Sequence, residues 1–523
     1  MDVEEKRSTS LSKSSILIIV VASVERFAYK GVASNMVTYL TDVVKLSTSS
    51  AAKSVSSWSG VTLMLPLISA VLTDSYWNRY SAIVASSMLY IGGLLGLTLW
   101  TILFSHMPTS SLFIPLYLIS VGQAGYNPSL QAFGADQLEL DDDHHEESKT
   151  SRKKSLFFQW WYFGLCSGSL SGNSLMSYIQ DTIGWGLGFA IPTSAMILSV
   201  ICFLSCARFY VYKKHLNVSS PSNQNIVQAT RVAIKNIINL KLGLRPRDDL
   251  HELELQEKPL KDDFNASKNS DTNFKENDET FTVAKKMLRL FPIWIMLLMF
   301  GVIFQQPLTF FTKQGMAMKH TFRSSFVIPP ATLQSAITLS VILLMPLYDK
   351  LISPILSLIT RSERGISVLQ RMGIGMVLSI LAMIVAAIVE TKRLEFSKKE
   401  PEHEILSIFW LLPQYILVGI SDVFTVVGMQ EFFYTEVPST MRTIGIALYL
   451  SVFGVGSLLS ALLISVVEMF TGTDNSWFSD DMSEARLDKY YWFLALLALI
   501  SFLTFVKLSR NYDHSNASTS DGQ

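Results

Sequence analysis

Twelve stretches of this chain are apolar over roughly 20 residues each, at 15–43, 57–73, 80–103, 112–134, 155–178, 185–212, 284–311, 329–347, 368–389, 406–433, 443–467 and 490–506. A helix rises about 1.5 Å per residue, so roughly 20 residues cross the ~30 Å hydrocarbon core of a bilayer. Lipid offers no partner to backbone amides, so spanning segments of this length must be helices. The pattern predicts an all-α membrane protein with 12 transmembrane helices in two pseudo-symmetric six-helix bundles. The bundles are read as residues 1–212 and 284–511, joined by a polar linker at 213–283 and followed by a tail at 512–523. Composition agrees: only 16% of residues are charged, against about 25% in soluble domains.

Orientation follows from lysine and arginine. With the N-terminus cytoplasmic, 30 of the 43 basic residues fall on cytoplasmic segments or helix ends, 11 fall opposite, and Arg26 and Lys30 lie within the first span. The positive-inside rule then places both termini in the cytoplasm. The sequons at Asn217, Asn265 and Asn516 lie on that side and are expected to be unmodified. The start of the chain, polar through Lys13, has no cleavable signal peptide by pattern. Within the linker, residues 226–239 have the periodicity of an amphipathic surface helix, and 244–279 is polar enough to stay disordered. The run at 141–147 (DDDHHEE) is read as a solvated tether rather than a metal cluster. Cys166, Cys202 and Cys206 fall in apolar segments and are read as packing residues.

The first span carries the strongest anomaly. A charge near the bilayer centre costs at least about 2.5 kcal/mol, yet Glu25, Arg26 and Lys30 all sit inside this run. On a helix Glu25 and Tyr29 share one face, and Arg26 and Lys30 share the adjoining one. A self-neutralising Glu25/Arg26 pair is one reading. Groups lining a water-accessible passage is the other, and it is preferred because a buried ion pair is rarely the best way to stabilise a helix.

The connections on the side of the termini repeat a theme. Asp74 precedes Arg79 between spans two and three, and Asp349 precedes Arg361 and Arg364 between spans eight and nine. An acid at a helix end followed by arginines can bridge neighbouring helices in one conformation and release them in another. Asp74, Arg79, Asp136, Asp349 and Arg364 are the candidate cytoplasmic gate. Such echoes at equivalent points of two halves accompany transporters built from repeats.

Several motifs, in order along the chain, carry a resemblance. They are Glu25-Arg26-Phe27-Ala28-Tyr29, Phe133 to Gln137 (FGADQ), Phe157 to Tyr162 (FFQWWY), Gly184 to Phe189 (GWGLGF), Leu369 to Gly373 (LQRMG), and Glu431 to Tyr434 (EFFY) with Met441-Arg442. Together they resemble the plant nitrate/peptide transporter family (NPF), the plant branch of the proton-dependent oligopeptide transporters in the major facilitator superfamily. The resemblance implies alternating access about a central cavity, usually driven by proton symport. The family's first-span signature E-x-x-E-R maps onto Ala22 to Arg26, so its first acid is missing. A family lysine in the fourth span maps to Asn127, while its acidic partner in the tenth survives as Asp422. A basic position falls at Ala33, and the seventh-span acid of peptide carriers falls at Gln305-Gln306. The seventh-span histidine associated with nitrate binding falls near Phe304.

These departures shape the expectation. Proton coupling is assigned to Glu25 and Asp422. The substrate cavity is assigned to Arg26, Tyr29, Lys30, Asn127, Trp161, Phe304, Gln306 and Tyr449. Lys30 stands where the family usually has tyrosine, and is read either as replacing the charge lost at Asn127 or as snorkelling to the surface. Without the seventh-span acid a zwitterionic peptide lacks one anchor, so a small anion, nitrate first, is the leading solute. A larger organic solute (hormone, glycoside, peptide or metal chelate) and a nutrient receptor on the same fold are the alternatives. No paired catalytic acids, Ser/His/Asp set or Walker loop is present, so neither an enzyme nor an ATP-driven pump is expected. The expected partners are a small-molecule or ion substrate, protons and membrane lipid, with no nucleic acid, metal or cofactor. The expected state is a monomer in the plasma or vacuolar membrane.

Overall fold

The computed structural model describes residues 13–76, 79–103, 108–140, 147–210, 289–322, 326–347, 367–398, 406–437, 442–472 and 476–520. Twelve long helices account for most of them. They are α1 (Lys13–Ala33), α2 (Thr48–Tyr76), α3 (Arg79–Leu103), α4 (Phe113–Leu140), α5 (Glu147–Ser171) and α6 (Trp185–Ser205), then α7 (Arg289–Met316), α8 (Ser335–Leu347), α9 (Val368–Lys398), α10 (Leu412–Glu436), α11 (Arg442–Thr471) and α12 (Leu487–Ser520). An even number of alternating spans leaves both ends of the chain on one face, here called the terminal face. The linker 213–283, the acidic run at 141–146, Asp349 and Arg364 lie outside the described residues.

By length and apolarity alone, seven helices suffice to cross a membrane among the described residues: α3, α6, α7 and α9 to α12. The other five are the polar or short ones. α1 carries Glu25, Arg26 and Lys30, α2 and α4 carry serines and amides together with Pro66 and Pro128, α5 begins in a basic run, and α8 is described only to Leu347. Helices that turn a polar face inward read as less hydrophobic, as α1 and α5 do here, whereas α8 is apolar and falls short only in described length.

The buried side chains segregate by half. One core joins α1 to α6, with Ile18, Trp58, Tyr90, Phe157 and Phe189 at its centre. Two further clusters fill α7 to α12, and α2 touches them through Ala52 and Leu63. Three irregularities bend the frame. α1 continues past Asn35 into a π turn at Tyr39–Val43, and α5 continues through a π turn at Gly172–Met176. α7 breaks into a tight turn at Gln306–Leu308, where Pro307 has no amide to donate to the ladder. Two short strands, Thr321–Phe322 and Phe326–Val327, pair antiparallel between α7 and α8; they are the only strands among the described residues of this otherwise helical protein.

Candidate functional site

Close approach of α1 to α5 comes first, because it aims the charged side chains. Gly164, Gly168 and Gly172 recur every fourth residue, a small-residue stripe that lets two helices touch along their backbones. A Cβ on Gly168 would lie 3.2 Å from the Arg26 Cβ, and one on Gly172 would lie 3.0 Å from the Lys30 Cβ. Arg26 and Lys30 therefore run along the bare flank of α5. Glu25 and Tyr29 point the other way, into the packing of α2, α3 and α4.

Lys30 reaches a cavity of about 180 Å³ between the two halves. Its walls come from α1 (Lys30), α5 and its extension (Tyr162, Cys166, Ser169, Asn173), α7 at its break (Phe304, Pro307, Leu308), the approach to α8 and α8 itself (Gln334, Ile337, Thr338, Val341) and α10 (Asp422). Such a volume holds about six waters at ~30 Å³ each and is below the 300 Å³ or more usual for drug-sized ligands. Lys30 and Asp422 face the same space from opposite halves. Their charges act on each other, yet among the described residues neither makes an ion pair or hydrogen bond.

Glu25 is placed differently. Its carboxyl is fully buried, with Oε1 accepting from the Gln123 amide at 3.2 Å and from the Tyr90 hydroxyl at 3.4 Å. Asn127 lies beside it, and Oε2 has no hydrogen-bond partner. Gly122 makes this arrangement possible, since a Cβ there would stand 2.5 Å from the Tyr90 backbone nitrogen and would push α3 off α4. Tyr29 packs against Trp58 at 5.9 Å between ring centroids, and the Arg26 guanidinium lies 6.0 Å over its ring. The first-span charges thus divide: Lys30 on the cavity, Arg26 partly exposed beside it, and Glu25 sealed behind.

The polar links between halves gather toward the face opposite the termini. Asp480 accepts from the Thr48 backbone amide at 2.6 Å, and Glu468 accepts from Ser49 Oγ at 2.7 Å and pairs with Lys53 at 2.6 Å. Two carboxylates of one half thereby sit at the N-terminus of α2 in the other, where free amides and the helix dipole favour negative charge. Lys313 adds a bond to Thr41 Oγ1 at 3.0 Å and lies 3.8 Å from Asp42. Nearer the cavity, Gln334 donates to the Ser34 carbonyl at 2.7 Å and Ser174 bonds Ser335 at 2.7 Å.

The remaining predicted residues scatter. Phe304 lines the cavity and packs on Phe453 at 5.0 Å. Tyr449 is half-buried, near enough to Asp422 to feel its charge. Trp161 sits in the core of the first half against Phe157. Gln306 is turned into the α7–α11 contact, donating to the Val302 carbonyl at 3.0 Å and to Ser460 Oγ at 3.4 Å, away from the cavity lining. Arg79 opens α3, and Asp74 and Asp136 fall within α2 and α4, with side chains outside the description. Sequence reasoning missed the α5 wall. Its signal was there in the spacing of Tyr162, Cys166, Ser169 and Asn173, four, three and four residues apart along one helical face.

Known proteins match the whole length of this frame. A family profile described as "PTR2: POT family" matches residues 80–484. The chain is 51% identical over 553 residues to Protein NRT1/ PTR FAMILY 5.9 of Arabidopsis thaliana, covering 99% of this chain and 98% of that one. It is 40% identical over 535 residues to Protein NRT1/ PTR FAMILY 5.14 of the same plant, covering 97% and 94%. Among solved structures, the in meso crystal structure of the POT family transporter PepTSo superposes with a TM-score of 0.71 at 17% identity, covering 97% of this chain and 99% of that one.

Proposed function

This chain belongs to the POT family, in its plant nitrate/peptide transporter branch, and is a multi-pass membrane transporter of the major facilitator fold; from that premise we propose that it moves a small anion, nitrate first, by alternating access linked to protons. The observation that carries this reading is the placement of Lys30 and Asp422 on opposite walls of a small cavity between the halves. Lys30 is the cation that meets the solute. A charge-assisted bond to an ionised donor is about twice as strong as a neutral one, and the carboxylate opposite selects against a second negative group.

In the proposed cycle both termini are cytoplasmic, residues 1–212 and 284–511 are the two moving bundles, and 213–283 is their tether. The bonds of Asp480, Glu468 and Lys313 close the external or luminal side, so the described conformation faces the cytoplasm or is nearly occluded. A solute anion bound at Lys30 offsets the ammonium charge that Asp422 feels across the cavity, and the carboxyl, less favoured as an anion, then takes a proton. Glu25, behind Arg26, is the second proton acceptor. Tracer nitrate flux into proteoliposomes under a pH clamp tests this: saturable uptake that quickens with acid on the external side is expected. Absent flux across the anion panel would overturn it.

One observation favours a second reading. A cation and a carboxylate on facing walls, unjoined, also suit an organic solute that carries both an amine and an acid. Under that reading neutral-pH zwitterions compete with tracer, whereas simple inorganic anions do not.

A further inference from the structure

A second concavity lies on the outside of the C-terminal half, away from the cavity just described. It runs between α9 and α12, has a volume of about 480 Å³, and is lined by Leu369, Gly373, Val377, Phe502, Phe505 and Val506. Gly373 keeps it open: a Cβ there would only reach ordinary contact with Phe502 and Phe505, at 3.7 and 3.8 Å, so no side chain fills the floor. The slot extends along α9 from Leu369 to Leu378, which at ~1.5 Å per residue is roughly 14 Å. That length is about one leaflet of a ~30 Å hydrocarbon core. The flank of α12 beside it is built for lipid, with Leu496, Leu499, Ile500 and Leu503 each 42–59% exposed.

The polar end of the slot is cationic. Arg510, with Gln370 and Ser509, closes it at the terminal face, and Lys507 stands one turn before Arg510 on α12. The nearby acids of α10 are already engaged: Glu431 is paired with Arg371, and Glu436 accepts from the Tyr512 hydroxyl at 2.5 Å. Arg510 and Lys507 have no ion-pair partner among the described residues. The first turn of α9 lies at the same end, closed by reciprocal bonds between Ser367 and Gln370, and its dipole adds to the positive field.

We propose that this groove binds one anionic glycerophospholipid from the leaflet on the terminal face, an acyl chain lying along Gly373 and the phosphate at Arg510 and Lys507. Acyl chains are as apolar inside the bilayer as in the slot, so selection comes from shape along the groove and charge at its end. The charge commits the occupant, since a sterol has no anionic group to set against Arg510 and Lys507, and the acids of α10 that a second copy of this chain would bring are already engaged.

Native mass spectrometry of the full-length protein, purified with equimolar phosphatidylglycerol and phosphatidylcholine, tests the assignment. Wild type is expected to retain phosphatidylglycerol in preference. Arg510→Gln with Lys507→Gln is expected to lower that preference about fivefold or more, and Gly373→Leu to remove retention of either lipid. Lys392→Gln, a cation stacked on Trp410 toward the opposite face, is expected to change neither, which separates the groove from general charge. Equal retention of the two lipids by wild type, unchanged retention in both groove variants, or retention of added sterol or formation of a dimer in place of phosphatidylglycerol would overturn the proposal.

Discussion

Lys53 on α2 and Glu468 on α11 meet at 2.6 Å, joining the two halves at the face farthest from the chain ends. Ser49 shares the same carboxylate, and Asp480 holds the Thr48 amide beside it. The first prediction concerns this latch. The pair is about one-third exposed, so solvent screening leaves it worth no more than about 1 kcal/mol. Glu468→Gln should then raise the population open at that face by up to about fivefold. Spin labels at Lys45 and Glu484, one on each half, should report the longer distance by pulsed electron resonance, and high salt should lengthen the wild-type distance toward that of the variant while leaving the variant unchanged.

Removing the cavity cation should cost binding more than turnover. Lys30→Gln keeps length and polarity but loses a charge-assisted bond of about 1.5–3 kcal/mol, so KM should rise tenfold or more while the protein folds normally. Uptake measured over a concentration series separates the two effects. An unchanged KM would remove Lys30 from the solute's path.

Proton linkage should fail at either carboxyl, in distinguishable ways. Asp422→Asn should leave uptake insensitive to pH and weaken the return of the empty carrier, read as lost counterflow asymmetry. Glu25→Gln keeps the bonds to Gln123 and Tyr90 within reach and should flatten the rate-versus-pH profile with little change in melting temperature. Wild-type uptake should rise as external pH falls, since protons then bind on the side of entry. A variant with wild-type pH dependence would exclude that residue from coupling.

Gly168 tests the approach of α1 to α5. Its Cβ space is occupied by the Ser23 carbonyl and the Arg26 Cβ, so Gly168→Val should overpack the contact by about 1–3 kcal/mol. A lowered melting temperature in detergent together with loss of solute binding is expected, because the same shift moves Lys30.

Glu390 and Arg393 form a pair of different character, buried to 0% and 4% exposure, with two hydrogen bonds between them at 2.9 and 2.7 Å and a third from Arg393 to the Met482 carbonyl. Arg393→Met strands a buried carboxylate and should cost about 3–5 kcal/mol, whereas Glu390→Leu with Arg393→Met should recover most of that. Thermal unfolding of both variants decides it.

The frame was legible in the chain because lipid imposes a length on every span and leaves few alternatives to a helix. Lys30 and Asp422 were legible for a related reason: a charge in an apolar run stands out. Cys166, Ser169 and Asn173 did not, since small polar residues are common wherever helices touch and only their shared face sets them apart. Gln306 reads like a cavity residue, but the chain breaks at Pro307 and turns its amide toward α11. Glu25 and Lys30 are five residues apart, about 140° beyond one full turn at 3.6 residues per turn, which puts the first against α3 and α4 and the second on the cavity. Which of the two faced open space depended on the glycines of another helix.

The core of the C-terminal half comes in two pieces, with Phe304 and Phe502 touching both, while α1 to α6 share a single one. A body packed as one piece swings whole, and a body packed as two can flex at the seam. The half bearing Asp422 thus carries a seam, and bending at Phe304 would part the terminal face while leaving the latch at the opposite face intact.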